Sequence, residues 1–161
     1  MVLVSTANRT RARANVITLS WHMMIEFEPP IVGCVLSTRN YSFSLLTESR
    51  QCVINVPTRE LAPKVVACGN ASGRRRDKFA EFGLTPTPAK CVLPPLIREC
   101  FASLECRVAD TRMVGRYNMF VLEVVRAWID RAVRRPRTIH YMDCGTFMVA
   151  GDLMRLRSGK K

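Results

Sequence analysis

The fold class this sequence predicts is mainly β: a closed or nearly closed antiparallel barrel of Greek-key type, with a few covering α-helices. Three observations predict it. Short apolar, β-branched runs crowd both ends of the chain, helical spacing is confined to the middle, and the second half carries the pattern of a long hairpin. In that hairpin, residues 101–109 and 119–129 both alternate, and Gly115-Arg116-Tyr117-Asn118 between them is turn material. No internal repeat is visible. At 161 residues one domain is expected, over residues 1–156, followed by a basic tail over 157–161.

Taken in order, residues 2–5 form a short β-branched run, 7–13 a polar turn, and 14–21 a second strand, so the chain opens as a hairpin. Side chains alternate across a strand, which puts Asn15, Ile17, Leu19 and Trp21 on one face and Val16, Thr18 and Ser20 on the other. The small hydroxyls of Thr18 and Ser20 leave their face low and polar, suited to a flat ligand or to an edge strand facing water. After Pro29-Pro30, residues 31–36 read as a buried strand. Ser37, Thr38, Arg39, Asn40 and Ser42 then crowd one loop, and helical spacing starts at Tyr41 with Phe43, Leu45, Leu46 and Glu48. Ser42, or Asn40 before it, is the expected N-cap. A helix start with free backbone N–H groups, hydroxyls and a guanidinium is built to hold an anion, most simply a phosphate. The same residues also suit an ordinary capped turn with a solvated arginine.

Residues 51–57 are a further buried strand, and Thr58 caps a helix through Leu61, Val65, Val66 and Cys68 that Gly69 ends. Residues 70–76 form a loop, 77–83 a short helix, and 84–90 a connector with two prolines. Beyond the long hairpin, 131–137 is a basic loop, and 138–142 and 146–149 are final strands around Asp143-Cys144-Gly145.

The net charge is +12 and the isoelectric point near 10.1, which raises nucleic acid as a partner. The placement of the charge weakens that idea. Arg9, Arg11 and Arg13 form one cluster, Arg74, Arg75 and Arg76 a second, Arg131, Arg134, Arg135 and Arg137 a third, and Arg155, Arg157, Lys160 and Lys161 a fourth. All fall in expected loops or the tail, without the interleaved aromatics of a stacking sheet. Solvated loops, or an anionic ligand or partner, explain them more simply, and a nucleic-acid-binding barrel without cofactor is the more distant alternative. The seven cysteines are odd in number, lack a C-x-x-C spacing and lie mostly in apolar runs, so buried thiols are expected rather than disulfides or zinc. The sequence has no apolar run of membrane-spanning length and no signal-peptide pattern at its start; no membrane association and a cytoplasmic setting are expected.

Chemical motifs are sparse. G-x-G-x-x-G, Walker, H-E-x-x-H and G-x-S-x-G patterns are absent, His22 and His140 are the only histidines, and no carboxylate pair stands out. Hard chemistry in this chain therefore belongs to a bound cofactor.

Several of these stretches together resemble the flavin reductase-like family, in its flavoredoxin-type FMN-binding split barrel, over about residues 2–156. The carriers are residues 14–21, the 37–42 loop, Cys52-Val53-Ile54-Asn55-Val56-Pro57, and Cys68-Gly69-Asn70-Ala71-Ser72-Gly73 leading to Asp77-Lys78-Phe79. Gly83-Leu84-Thr85-Pro86, Leu104-Glu105-Cys106-Arg107-Val108 and the closing residues 145–151 complete them. The resemblance implies FMN, with FAD as the alternative, bound at the barrel surface at a homodimer interface. It implies that Asn15, Thr18, Ser20 and Trp21 line the isoalloxazine, and that Ser37, Thr38, Arg39 and Ser42 grip the phosphate. Asn55 and Lys78 fall at positions close to the flavin, Lys78 near its N1–C2 edge or on the phosphate, and His140 faces the nicotinamide. The implied activity is an NAD(P)H:flavin oxidoreductase, with NAD(P)H as co-substrate. The alternative is a flavoredoxin-like electron carrier, or ferric reductase, working with a redox protein partner. Two departures stand out: Met1 falls almost inside the first strand, and the turn at Arg9–Arg13 and loop at Arg131–Arg137 are unusually basic. Those loops suit a phosphorylated nicotinamide cofactor or an acidic partner.

Overall fold

The structure is a computed structural model that describes residues 1–10 and 13–156. Arg11 of the first basic cluster and the expected 157–161 tail lie outside the described residues. β1 (Val2–Ala7) and β2 (Ala14–Leu19) form the opening hairpin, with Val2 opposite Leu19 and Ala7 opposite Ala14. β2 stops two residues before the expected boundary. The chain turns a corner at the exposed Ser20 and Trp21 and enters β3 (His22–Glu26), a strand the sequence pattern hides because Met23, Met24 and Ile25 do not alternate. β3 pairs with β4 (Ile31–Val35).

α1 (Tyr41–Ser49) and β5 (Gln51–Val56) follow. A 3-10 turn at Arg59–Leu61 leads into α2 (Ala62–Asn70), which continues through Gly69 instead of ending there. The physical reason is its backbone: Gly69 does not take the left-handed φ of a glycine helix stop, and it lies in ordinary contact with β2, a Cβ there coming to 3.4 Å from the Thr18 Cβ. Then come α3 (Lys78–Glu81), the small ladder of β6 (Pro86–Thr87) with β7 (Leu96–Ile97), and the hairpin of β8 (Ala102–Asp110) and β9 (Met119–Ile129) across α4 (Val114–Tyr117). β10 (Ile139–Asp143) and β11 (Thr146–Val149) close the described chain as a separate hairpin.

The main sheet has seven strands in the order β2-β1-β5-β8-β9-β4-β3, antiparallel at every pairing. Because β2 runs straight into β3, the two edge strands meet at the Ser20–Trp21 corner, and the sheet curls into an open, split barrel. Its interior is filled by Val2, Val4, Val32, Leu36, Ile54, Phe120 and Leu122, among others. A second core, between the outer face of β1 and β2 and the helices, contains Leu3, Val16, Val65, Cys68, Phe79 and Ile97. β1 is thus buried on both faces, which is why its sequence reads as a nearly unbroken apolar run. Cys34, Cys52 and Cys106 lie in the inner core, Cys68 and Cys100 in the outer one, and Cys144 is exposed. Among the described residues no helix is long and apolar enough to cross a membrane.

Candidate functional site

At the end of β4 the backbone N–H of Leu36 donates to the Asn118 carbonyl, and the chain then leaves the sheet. Ser37, Thr38 and Arg39 are exposed; the turn is held by Asn40 N–H donating to the Ser37 carbonyl and by Arg39 N–H donating to Ser37 Oγ at 3.3 Å. Asn40 occupies the N-cap of α1 with extended backbone, but its side chain makes no capping bond, and the first turn contains no acidic residue. The start of α1 therefore presents N–H groups and the positive end of the helix dipole to the loop above it.

Ser42 points the other way. It is fully buried, and its Oγ accepts from Asn15 Nδ2 at 2.8 Å and from Thr6 Oγ1 at 3.2 Å. Neither of the two residues expected as a side-chain cap supplies one, because the second helical residue faces the barrel. Ser42 instead ties α1 to the opening hairpin.

The loop at residues 70–77 reaches the same place from the far side. Gly73 packs on Asn15, and the Arg74 guanidinium stands over the Tyr41 ring, 5.5 Å from its centroid. Asp77 caps α3, accepting from Phe79 N–H at 3.0 Å and Ala80 N–H at 3.2 Å, and Arg76 pairs with Glu81 at 2.7 Å. Between the loops lies a cleft of about 390 Å³ lined by Arg13, Ala14, Tyr41, Arg74, Arg75 and Arg76, with Gly73 and Asp77 at its edge. The sequence marks the arginine triplet as solvated loop charge or as a contact for an anionic ligand or partner; its place beside α1 depends on a crossing that no local pattern announces.

Three of the expected contact residues lie deeper. Thr18 Oγ1 donates to the Val65 carbonyl at 2.5 Å, beneath α2. Lys78 is buried, and its ammonium donates to the carbonyls of Val16 at 2.9 Å and Cys68 at 2.7 Å. Burial lowers its pKa from the ordinary lysine value, with the neighbouring Cys68 opposing that shift. Asn55 has no exposed surface; its Nδ2 donates to the Leu3 carbonyl and Ser5 Oγ, and its Oδ1 accepts from Ile97 N–H and Ser103 Oγ. The side-chain nitrogens and oxygens of Thr18, Lys78 and Asn55 are thus bonded to the scaffold.

A second grouping forms at the sheet's corner. Trp21 is 72% exposed, Ser20 is exposed, and His140 on β10 is exposed with Nε2 3.5 Å from Thr138 Oγ1. The Met1 ammonium donates to the Ile139 carbonyl, which brings β10 against the start of β1. Next to these, His22 is half-buried; burial lowers its pKa, the Met1 ammonium and His140 lower it further, and a backbone bond at Ser20 opposes them.

Comparison with known proteins agrees with this architecture. The family described as flavin reductase like domain matches residues 1–147. An uncharacterized protein of Archaeoglobus fulgidus is 35% identical over 113 residues, which cover 70% of this chain and 64% of that protein. The match therefore spans less than two thirds of that relative's length. Among solved structures, the flavoredoxin of Desulfovibrio vulgaris (Miyazaki F) superposes with a TM-score of 0.88 at 23% identity, covering 96% of this chain and 88% of its own. An FMN-binding domain of a flavin reductases-like enzyme from Shewanella baltica OS155 gives 0.88 at 25% identity, covering 97% and 88%.

Proposed function

Because the chain belongs to the flavin reductase-like domain family, we propose that it binds FMN and acts as an NAD(P)H:flavin oxidoreductase. The observation that carries this reading is the start of α1: an N-cap without a side-chain bond, with Ser37, Thr38 and Arg39 exposed around it. Hydroxyls, amides and guanidinia are the donor set a phosphate monoester requires. FMN held there would supply the redox chemistry, as a hydride acceptor and electron donor.

The chain's residues do the rest. Ser37, Thr38, Arg39 and the first amides of α1 hold the phosphate. Asn15 and Ser42 fix α1 against the hairpin, so the amides are positioned before the ligand arrives. Thr18, Lys78 and Asn55 act from beneath, holding β2, α2 and β5 in place, and no side chain forms a covalent intermediate. At the exposed corner Ser20 and Trp21 line the isoalloxazine, and His140 faces the nicotinamide.

The partner in this reading is a second copy of the chain. Trp21, Met23, Met24 and Phe27 at β3, with Tyr141 and Met142 on β10, present an exposed apolar surface that a homodimer would cover. An electron-carrier role is the second reading, favoured by the basic loop at 131–137. Arg134, Arg135 and Arg137 line a hollow of about 480 Å³ with residues 150–153, a surface suited to an acidic redox protein.

The test is a visible absorbance spectrum of the purified protein before and after adding FMN and desalting, followed by NAD(P)H titration. Retained flavin bands that bleach with NAD(P)H support the reductase. Retained bands that bleach only with a reduced ferredoxin select the carrier, and protein that neither retains FMN nor oxidises NAD(P)H with added FMN refutes both.

A further inference from the structure

The cleft beside α1 holds more positive charge than one phosphate uses. Its lining meets α1 only at Tyr41 and does not include Arg39. Past Tyr41 and Arg74 the cleft continues to Arg13, Arg75 and Arg76, and a second hollow of about 510 Å³ opens behind it along Asn70, Ala71 and Ser72. Of the four guanidinia in the cleft, only that of Arg76 pairs with a carboxylate among the described residues, that of Glu81. The one carboxylate lining the cleft, Asp77, accepts from two amides of α3. Like charges gathered at one concave surface repel each other, and an anion relieves that repulsion. Guanidinium also matches phosphate geometry with paired donors.

We propose that this cleft is a second phosphate subsite, separate from the one that holds the FMN phosphate, with Arg13 and Arg75 as its direct ligands. It takes the phosphate-bearing adenosine part of a dinucleotide. Two sources carry that chemistry: the 2′-phosphate of a phosphorylated nicotinamide dinucleotide, and the pyrophosphate of FAD. The cleft is large enough for such a group, since ligand sites begin at about 300 Å³. The proposal rests on the FMN reading only in calling the subsite the second one.

The experiment uses the full chain and its double variant Arg13→Ala/Arg75→Ala, with calorimetric titration of 2′,5′-ADP, 5′-ADP and 5′-AMP, and separately of FMN. Among the described residues the Arg13 side chain makes no hydrogen bond or ion pair; its backbone N–H donates to Asn8 Oδ1 and its carbonyl accepts from Asn8 N–H. At least tenfold tighter binding of 2′,5′-ADP than of 5′-AMP, lost in the variant, selects the nicotinamide source. The same preference for 5′-ADP selects the FAD source. In both cases FMN affinity stays within twofold.

Equal binding of all three adenylates overturns the subsite. So does a variant that loses FMN as strongly as it loses the adenylates, because the cleft is then FMN's own phosphate pocket. Displacement of the bound adenylate by a mixed-sequence DNA duplex at equal concentration in 0.15 M salt overturns it in favour of a general polyanion surface. If FMN fails to bind while an adenylate binds with the stated preference, the FMN reading falls and the phosphate subsite stands.

Discussion

Gly73 lies so close to Asn15 that a Cβ on residue 73 would fall 1.9 Å from the Asn15 Oδ1. No rotamer adjustment of an added methyl relieves a contact of that length, so Asn15 would have to turn and give up its 2.8 Å bond to Ser42. Gly73→Ala is therefore expected to destabilise the fold by about 1–3 kcal/mol and to weaken FMN binding about tenfold. Urea unfolding and a flavin fluorescence titration check this. The double variant Gly73→Ala/Asn15→Ala should bind flavin no better than Gly73→Ala, since it also lacks the bond to Ser42.

Removing the donors at the start of α1 separates phosphate recognition from ring recognition. Ser37→Ala with Arg39→Ala is expected to weaken FMN by about 1.5–3 kcal/mol, the usual worth of a charge-assisted bond, and to leave riboflavin almost unchanged. Equilibrium titration of both flavins measures it, and equal losses would show that the loop does not hold the phosphate. Ser42→Ala acts differently: its partners are Asn15 and Thr6, so it should lower stability and affect both flavins alike.

Lys78→Met tests the buried ammonium. The methionine fills the same channel but leaves the carbonyls of Val16 and Cys68 without their donor. The expected loss is about 2–4 kcal/mol of stability, measured by chemical unfolding. A variant as stable as the parent would mean that water replaces the ammonium without penalty.

Stability should fall in alkali, and the sign follows from the thiols. Burial pushes the Cys34 and Cys100 thiols up to about 12 and that of Cys68 up to about 11, and a bond to Cys106 together with burial raises Cys52. An unfolded thiol ionises near 9, so above that pH the unfolded chain releases protons that the folded chain keeps. The contribution of these four groups is full below pH 9 and is lost as pH rises towards 11 and 12, each at about 1.4 kcal/mol per pH unit. Lys78 opposes them: its lowered pKa makes stability rise with pH up to 10.5, the unfolded value. Four groups outweigh one, and urea midpoints measured from pH 8 to 10.5 should fall, less steeply in Cys34→Ala. In the native protein at pH 8 a maleimide should label the exposed Cys144 first.

How much of this was legible in the sequence depends on whether the cause is local. The strands β4, β5, β8 and β9 announce themselves through apolar runs or alternation. The start of α1 is visible as the place where the apolar run stops and hydroxyl residues begin. β3 gives no such signal, because Met23, Met24 and Ile25 are exposed on an edge strand and do not alternate. Gly69 reads as a helix stop in sequence, yet α2 runs through it to Asn70, lying against Thr18, 51 positions earlier. Ser42 reads as a loop hydroxyl, and the helix phase that turns it inward towards Asn15 is set by contacts with the hairpin. Asn55 looks like a contact residue in its motif, yet its partners come from β1, β7 and β8. Tertiary neighbours decided each of these four.

The two tryptophans sit in opposite surroundings. Trp21 is 72% exposed at the corner, while Trp128 is half-buried, its indole N–H donating to Glu105 Oε1 and its ring flanked by the cations of Arg126 and Lys90 at 4.5 and 5.5 Å. Intrinsic fluorescence is thereby divided between two reporters. Emission from Trp21 responds to whatever covers the corner, shifting to shorter wavelength as solvent leaves, while Trp128 registers the integrity of the β8–β9 hairpin and of the segment around Lys90 packed on it. Assembly and unfolding thus have separate optical signatures in the unlabelled chain.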